Sequence, residues 1–168
     1  SSTDPAGNIK TIFYDQTNKT AYITEKNGTQ LTYVYDNVLN VPLQVTDPLA
    51  NQTIYQYDTN RNLISKTEPG GRTTTYTYDP YGNMESQTDA LGNTTSYTYD
   101  YYGQVLTKTD PDGNTSIYTY DANINLLEEI DAQGNITSHT YGSNGEKLTT
   151  TDPNGNITTY TYDQYGNL

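Results

Sequence analysis

The side chains of this 168-residue chain that could do chemistry are 20 carboxylates, 19 phenols and one imidazole, His139, with no thiol. A single histidine cannot assemble a His-based metal cluster or a Ser–His–Asp triad. The absence of cysteine removes thiol catalysis and any disulfide framework. Carboxylates are the remaining candidates. Paired across a sugar they would hydrolyse a glycosidic bond, and gathered closely with carbonyls they would hold calcium. Their spacing argues against both. One acidic ladder runs Asp4, Glu25, Asp47, Glu68, Asp89, Asp110, Asp131 and Asp152, and a second follows tyrosine at Asp15, Asp36, Asp58, Asp79, Asp100, Asp121 and Asp163. A catalytic pair should stand out from a repeat, and here the repeat itself accounts for nearly every acid. Glu128 and Glu129 fall outside both ladders, but adjacent residues of a strand face opposite ways. The sequence therefore assigns no catalytic residue, no metal ligand and no cofactor.

The elements that position these side chains follow from the period. Aligned on the Tyr-Asp pair, the chain holds eight units, with Tyr14, Tyr35, Tyr57, Tyr78, Tyr99, Tyr120, Tyr141 and Tyr162 in the same slot. Each step is 21 residues except the second, which is 22, and a bulge or widened turn beside Pro42 would absorb the extra residue. A fixed period outranks a domain count based on length. Residues 1–168 read as a single array, a window of a longer one.

Each unit contains two turns. In TDPDGN (Thr109 to Asn114), Asp110 accepts a backbone N–H, Pro111 presets φ and Gly113 supplies the positive φ. YDYYGQ (Tyr99 to Gln104) repeats the Asp-to-Gly spacing without proline. A type I turn followed by a glycine bulge fits both and closes a β-hairpin. The same slot falls on Gly7, Gly28, Gly71, Gly82, Gly92, Gly103, Gly113, Gly134, Gly145, Gly155 and Gly166. Ala50, Asn18, Arg61 and Ile124 stand where glycine is expected. A β-branched residue is strained at positive φ, so the turn at Ile124 is expected to differ, with Asn123 or Asn125 in the left-handed position.

Between the turns, runs of five to seven residues alternate, as in NTTSYTYD (Asn93 to Asp100). Thr95, Tyr97 and Tyr99 share one face, and Thr94, Ser96 and Thr98 the other. The chain thus reads as all-β, stacked hairpins forming a twisted ribbon or β-solenoid. Its tyrosine ladder comprises Tyr33, Tyr35, Tyr55, Tyr57, Tyr76, Tyr78, Tyr97, Tyr99, Tyr118, Tyr120, Tyr141, Tyr160 and Tyr162, with Tyr14 at its start. His139 replaces one ladder tyrosine, and Gly142 replaces one turn aspartate. Each ring is expected to lie on its counterpart in the next unit, and Tyr99→Ala to cost about 3–5 kcal/mol if the ring is buried.

Composition bounds the partners. Hydrophobic residues make up 32% of the chain, so any core must be built largely from phenol rings. A net charge of −12 opposes nucleic-acid binding and adhesion to anionic lipid. No stretch is long and apolar enough for a membrane-spanning helix.

The motifs DPDGNTSIYTYD, DPNGNITTYTYD and YDPYGN resemble the YD repeats, also called RHS repeats, of toxin-complex, RHS, wall-associated and teneurin-type surface proteins. The resemblance covers the whole chain. It implies a secreted or cell-surface location and arrays that wind into a hollow β-shell, in bacterial toxins around a C-terminal toxic domain. The partners it implies are neighbouring repeats of the same or another chain and an enclosed toxin domain. The self-cleavage carboxylates of that family lie in a segment that nothing here matches.

The leading expectation is a non-enzymatic structural segment, a wall of a shell or an extended scaffold. The alternative is an adhesive, glycan-binding or filament-forming module, since tyrosine rings on an uncovered face would stack on sugars. An ice-binding array on the threonine face is disfavoured because Val34, Gln56 and Lys108 are assigned to that face. Asn18, Asn27, Asn51, Asn93, Asn114, Asn135 and Asn156 head Asn-x-Ser/Thr sequons and are candidate glycosylation acceptors.

Overall fold

The computed structural model describes residues 2–3, 9–17, 19–24, 29–36 and 38–168. Gly7, Gly28, Asn18 and Asn27, together with Asp4 and Glu25, lie outside the described residues. The chain is all-β and divides into two compact units, Ser1–Asn93 and Thr94–Leu168.

In the first unit the strands are β1 (Ser2–Thr3), β2 (Ile9–Asp15), β3 (Thr20–Thr24), β4 (Gln30–Asp36), β5 (Val41–Thr46), β6 (Gln52–Tyr57), β7 (Leu63–Thr67), β8 (Thr73–Tyr78) and β9 (Met84–Thr88). In the second they are β10 (Thr94–Tyr99), β11 (Val105–Thr109), β12 (Thr115–Tyr120), β13 (Leu126–Ile130), β14 (Ile136–Tyr141), β15 (Lys147–Thr151) and β16 (Ile157–Thr159). Inside each unit every strand pairs antiparallel with its neighbours in sequence. Among the described residues the strands of each unit meet only their neighbours in sequence and a single apolar side chain is fully buried, so each unit is one layer thick. There is no interior to fill, and Ala21, 1% exposed, is the one fully buried apolar side chain among the described residues.

The two faces are held differently. On one, Thr77 shares a hydroxyl hydrogen bond with Ser86 at 2.7 Å, Thr98 with Thr107 at 2.6 Å and Thr140 with Thr149 at 2.7 Å. On the other, the ladder tyrosines from Tyr33 onward are half-buried, while Tyr14 is exposed. The expectation that each ring lies on its counterpart is corrected here. Successive ladder strands are separated by a return strand, which places equivalent rings two strand spacings, about 9–10 Å, apart. Rings pack along their own strand instead, Tyr33 on Tyr35 at 6.0 Å and Tyr97 on Tyr99 at 6.5 Å. Some reach back across the return strand: the Tyr78 hydroxyl donates to Leu63 O at 3.0 Å, and Tyr162 to Lys147 O at 2.9 Å. Partial burial raises the phenol pKa of Tyr35, Tyr57, Tyr78, Tyr120 and Tyr141.

Lys108 also requires correction. The register sets it opposite Tyr97 on one side and Ser116 on the other. Its neighbour Thr107 holds Thr98 on the hydroxyl face, so Lys108 belongs to the tyrosine face. The cause is a bulge in the return strand of every Tyr-Asp hairpin from β4–β5 onward, such as the shift at Thr98/Tyr99. One extra residue there, Leu106 between Val105 and Thr107, resets the alternation that a regular strand would continue.

The twenty-second residue of the second unit lies in the turn ending at Asn40. That turn closes by Asn40 N–H to Asp36 O at 2.8 Å, four residues back, whereas Gly103 N–H closes onto Asp100 O, three back, at 3.2 Å.

Because ladder rings are half-buried on a one-layer sheet, Tyr99→Ala is expected to cost about 1–2 kcal/mol, cross-strand and partial burial terms together. Urea denaturation of the variant and the parent measures it. A loss of 4 kcal/mol would require a second layer over the ring.

Candidate functional site

The acidic ladders converge on the turns. Asp110 is representative. Its Oδ1 accepts the N–H of Asp112 at 2.9 Å and of Asn114 at 2.9 Å, while its Oδ2 accepts Asn114 Nδ2 at 2.9 Å. The backbone closes the same loop twice, with Gly113 N–H on Asp110 O at 3.0 Å and Asp110 N–H on Asn114 O at 2.9 Å. One carboxylate thus accepts from three donors of its own loop. The full clamp recurs at Asp47–Asn51, Asp58–Asn62, Asp79–Asn83, Asp89–Asn93, Asp121–Asn125, Asp131–Asn135, Asp152–Asn156 and Asp163–Asn167.

The asparagine is the part that sequence reasoning missed. Asn51, Asn93, Asn114, Asn135 and Asn156 were read as sequons, yet all five are exposed and donate Nδ2 to the turn carboxylate at 2.7–2.9 Å. Asn62, Asn83 and Asn125, which head no sequon, make the same bond, as does Asn167. That second row was the signal available in the sequence.

Gly71, Gly82, Gly92, Gly103, Gly113, Gly134, Gly145, Gly155 and Gly166 all take φ between 81° and 90°. A Cβ on Gly113 would meet no atom within 4 Å, so glycine is required there by its backbone conformation and not by space. The expected rearrangement at Ile124 does not occur. Ile124 itself takes φ 72° and donates its N–H to Asp121 O at 3.0 Å. The Asp121–Asn125 clamp over-determines the loop and holds the β-branched residue in a conformation costing about 1–3 kcal/mol. Ala50 and Arg61 adopt the same φ region, at 63° and 71°.

Five turns among the described residues lack the pair. At Asp15 the carboxylate takes the N–H of Thr17 at 2.9 Å, and at Asp36 it takes those of Val38 at 2.7 Å and Leu39 at 2.8 Å. At Glu68 the carboxylate takes Lys66 Nζ at 2.8 Å and Arg72 Nη2 at 3.4 Å. At Asp100 the partner is Gln104, whose backbone N–H is bound at 2.9 Å. At Gly142 the polarity reverses. Glu146, in the asparagine slot, supplies Oε2 to the N–H of Asn144 at 3.0 Å, and a Cβ on residue 142 would overlap that carboxylate. Gly142 is therefore the other half of a swap that keeps a carboxylate in the loop.

Eight of the clamped turn aspartates are held below the usual carboxylate range mainly by the asparagine. They are Asp47, Asp79, Asp89, Asp110, Asp121, Asp131, Asp152 and Asp163, and backbone N–H groups add to the effect of the amide. His139, in a ladder slot, contacts Thr150 Oγ1 through Nδ1 at 3.0 Å. Burial, then Lys147, lowers its pKa. Among the described residues, no group of three or more His, Cys, Asp or Glu is placed to hold a metal ion.

These features define a class, a β-hairpin repeat with carboxylate-clamped turns. The RHS Repeat family model matches residues 42–73, 59–94, 85–115 and 99–136, more than half of the chain, and the protein belongs to that family. Among solved structures it is similar to a TcdB2-TccC3 complex lacking the hypervariable C-terminal region, at 18% identity and a TM-score of 0.71 over 97% of this chain and 10% of that one. A Photorhabdus luminescens Tc holotoxin pore matches at 19% identity and a TM-score of 0.56, over 96% of this chain and 12% of that one. The chain thus spans about a tenth of the length of these structures. No curated protein matches.

Two outcomes follow. Because the folded aspartates titrate below their unfolded value, their contribution is fully present above pH ~4 and is lost as pH falls through the depressed folded values. Urea midpoints should therefore hold from pH 7 to about 5 and drop at pH 3 and below. Gly142→Asp should cost about 1 kcal/mol by displacing the Glu146 carboxylate from Asn144. Adding Glu146→Asn restores the common pair, and the double variant should regain most of that loss in thermal melts.

Proposed function

We propose that this array is a non-enzymatic structural segment of a secreted or cell-surface protein, one stretch of a wall that encloses or displays another part of its assembly. The observation that carries this reading is the one-layer construction of each unit, in which each strand pairs only with its neighbours in the chain and the described residues enclose nothing between layers. Such a sheet adds repeats without enlarging a core, because each repeat contacts only its neighbours. Its reactive side chains support the reading too, since the turn carboxylates are occupied by donors of their own loops.

The family extends the proposal to partners. Neighbouring repeats, of this chain or another, would continue the sheet, and a toxic domain would be the enclosed cargo. In a glycosylating cell, sugar transfer to Asn51, Asn93, Asn114, Asn135 or Asn156 would compete with the clamp for the same Nδ2.

Electron microscopy of the natural full-length protein tests the wall. A closed, hollow particle whose shell contains this array is the expected result. An open fibre with no enclosed volume would overturn enclosure and leave a displayed scaffold.

A further inference from the structure

Two turn tips of the second unit carry the same dipeptide at the same place in the loop. Asn144-Gly145 and Asn154-Gly155 are both exposed, with the glycine at φ 85° and 83°. Each glycine donates its N–H three residues back, to Gly142 O at 3.1 Å and to Asp152 O at 2.9 Å. An asparagine followed by glycine is open to attack on its own side-chain amide, because no side chain shields the glycine nitrogen.

The loops differ in what holds that asparagine. Asp152 accepts the N–H of Asn154 at 2.9 Å, the N–H of Asn156 at 2.8 Å and Asn156 Nδ2 at 2.7 Å. In the other loop the exchange of Gly142 and Glu146 leaves a single carboxylate bond, from Asn144 N–H to Glu146 Oε2 at 3.0 Å. The backbone closure is the same in both, Gly142 N–H on Glu146 O and Asp152 N–H on Asn156 O, each at 2.9 Å. Glycine at the head of the weaker loop adds backbone freedom.

We propose that Asn144 is a site of spontaneous modification, converted through a succinimide to an aspartyl or isoaspartyl residue, and that the clamp protects Asn154 from the same fate. The Gly145 nitrogen loses its proton to base and bonds to Asn144 Cγ. The Cγ–Nδ2 bond breaks, and ammonia leaves. Water then opens the ring at either carbonyl, so that one water enters, one ammonia departs and nothing is oxidised or reduced. At the third residue of a type I turn ψ lies at about 0°, which holds the glycine nitrogen away from Cγ. Attack must wait for the loop to open, and its rate follows the free energy of that local opening. The isoaspartyl product lengthens the backbone between β14 and β15, and either product sets a second carboxylate close to Glu146. This hairpin is therefore where chemical ageing loosens the unit first.

The test follows the whole chain over time in mildly alkaline buffer, with tandem mass spectrometry and isoaspartyl methyltransferase labelling reporting each site. Asn144 should convert roughly ten-fold or more faster than Asn154, the effect of the two carboxylate bonds its loop lacks. In concentrated urea the two rates should converge. Gly142→Asp with Glu146→Asn installs the common clamp and should slow Asn144 to the rate of Asn154. Asp152→Gly with Asn156→Glu makes the reverse exchange and should speed Asn154 to the rate of Asn144, with the circular dichroism spectrum of the parent retained in both variants. The proposal is overturned if the folded chain converts Asn154 as fast as Asn144 or if the same ratio persists in urea. It is overturned as well if either exchange, folded as the parent is, leaves the rate at its site unchanged.

Discussion

The hydrogen bonds that an aspartate accepts from the loop it begins are the constraint on which this structure rests. In most folds a strand's register is set by which face must enter the core. These units have no core, since each is a single layer and both faces meet solvent to some degree. Register must therefore be set at the strand ends, and the Asp carboxylate does so by holding three donors of a five-residue loop. Once Asp110, Gly113 and Asn114 are in place, β11 and β12 can meet in only one alignment. Each hairpin then presents a strand whose alignment is already decided to the next.

The faces can differ in chemistry because neither is required to seal an interior. Paired hydroxyls tie one face across strands, with donors and acceptors interchangeable and little area buried. On the other, phenol rings lie along the sheet and cover the return strand. Burial is partial, which suits a wall that adds repeats at a constant gain per repeat. The bulge in each return strand couples the two faces, placing an additional residue where a regular strand would reverse the alternation.

The irregular units show how much of the pattern is physical necessity. Glu68 keeps its turn with two cations instead of an amide. Gly142 and Glu146 exchange the carboxylate from one end of the loop to the other. Ile124 is held left-handed because the clamp around it is worth more than the strain. What survives each of these changes is a carboxylate in the loop, together with a residue at positive φ.

The period, the hairpins, the turn glycines and the tyrosine-rich face were legible in the sequence because each depends on local chemistry within a few residues. Aspartate, proline and glycine at fixed offsets specify a loop whatever lies beyond it. The asparagine clamp was also local, but the overlapping sequon concealed it. Two features were not legible. The bulge that moves Lys108 to the tyrosine face depends on how a return strand meets its partner. So does the separation of equivalent rings by an intervening strand. Turn chemistry is decided by neighbours along the chain, and so the sequence determined it. Which side chains share a face and flank one another is decided by pairing across strands, and only the tertiary structure settled that.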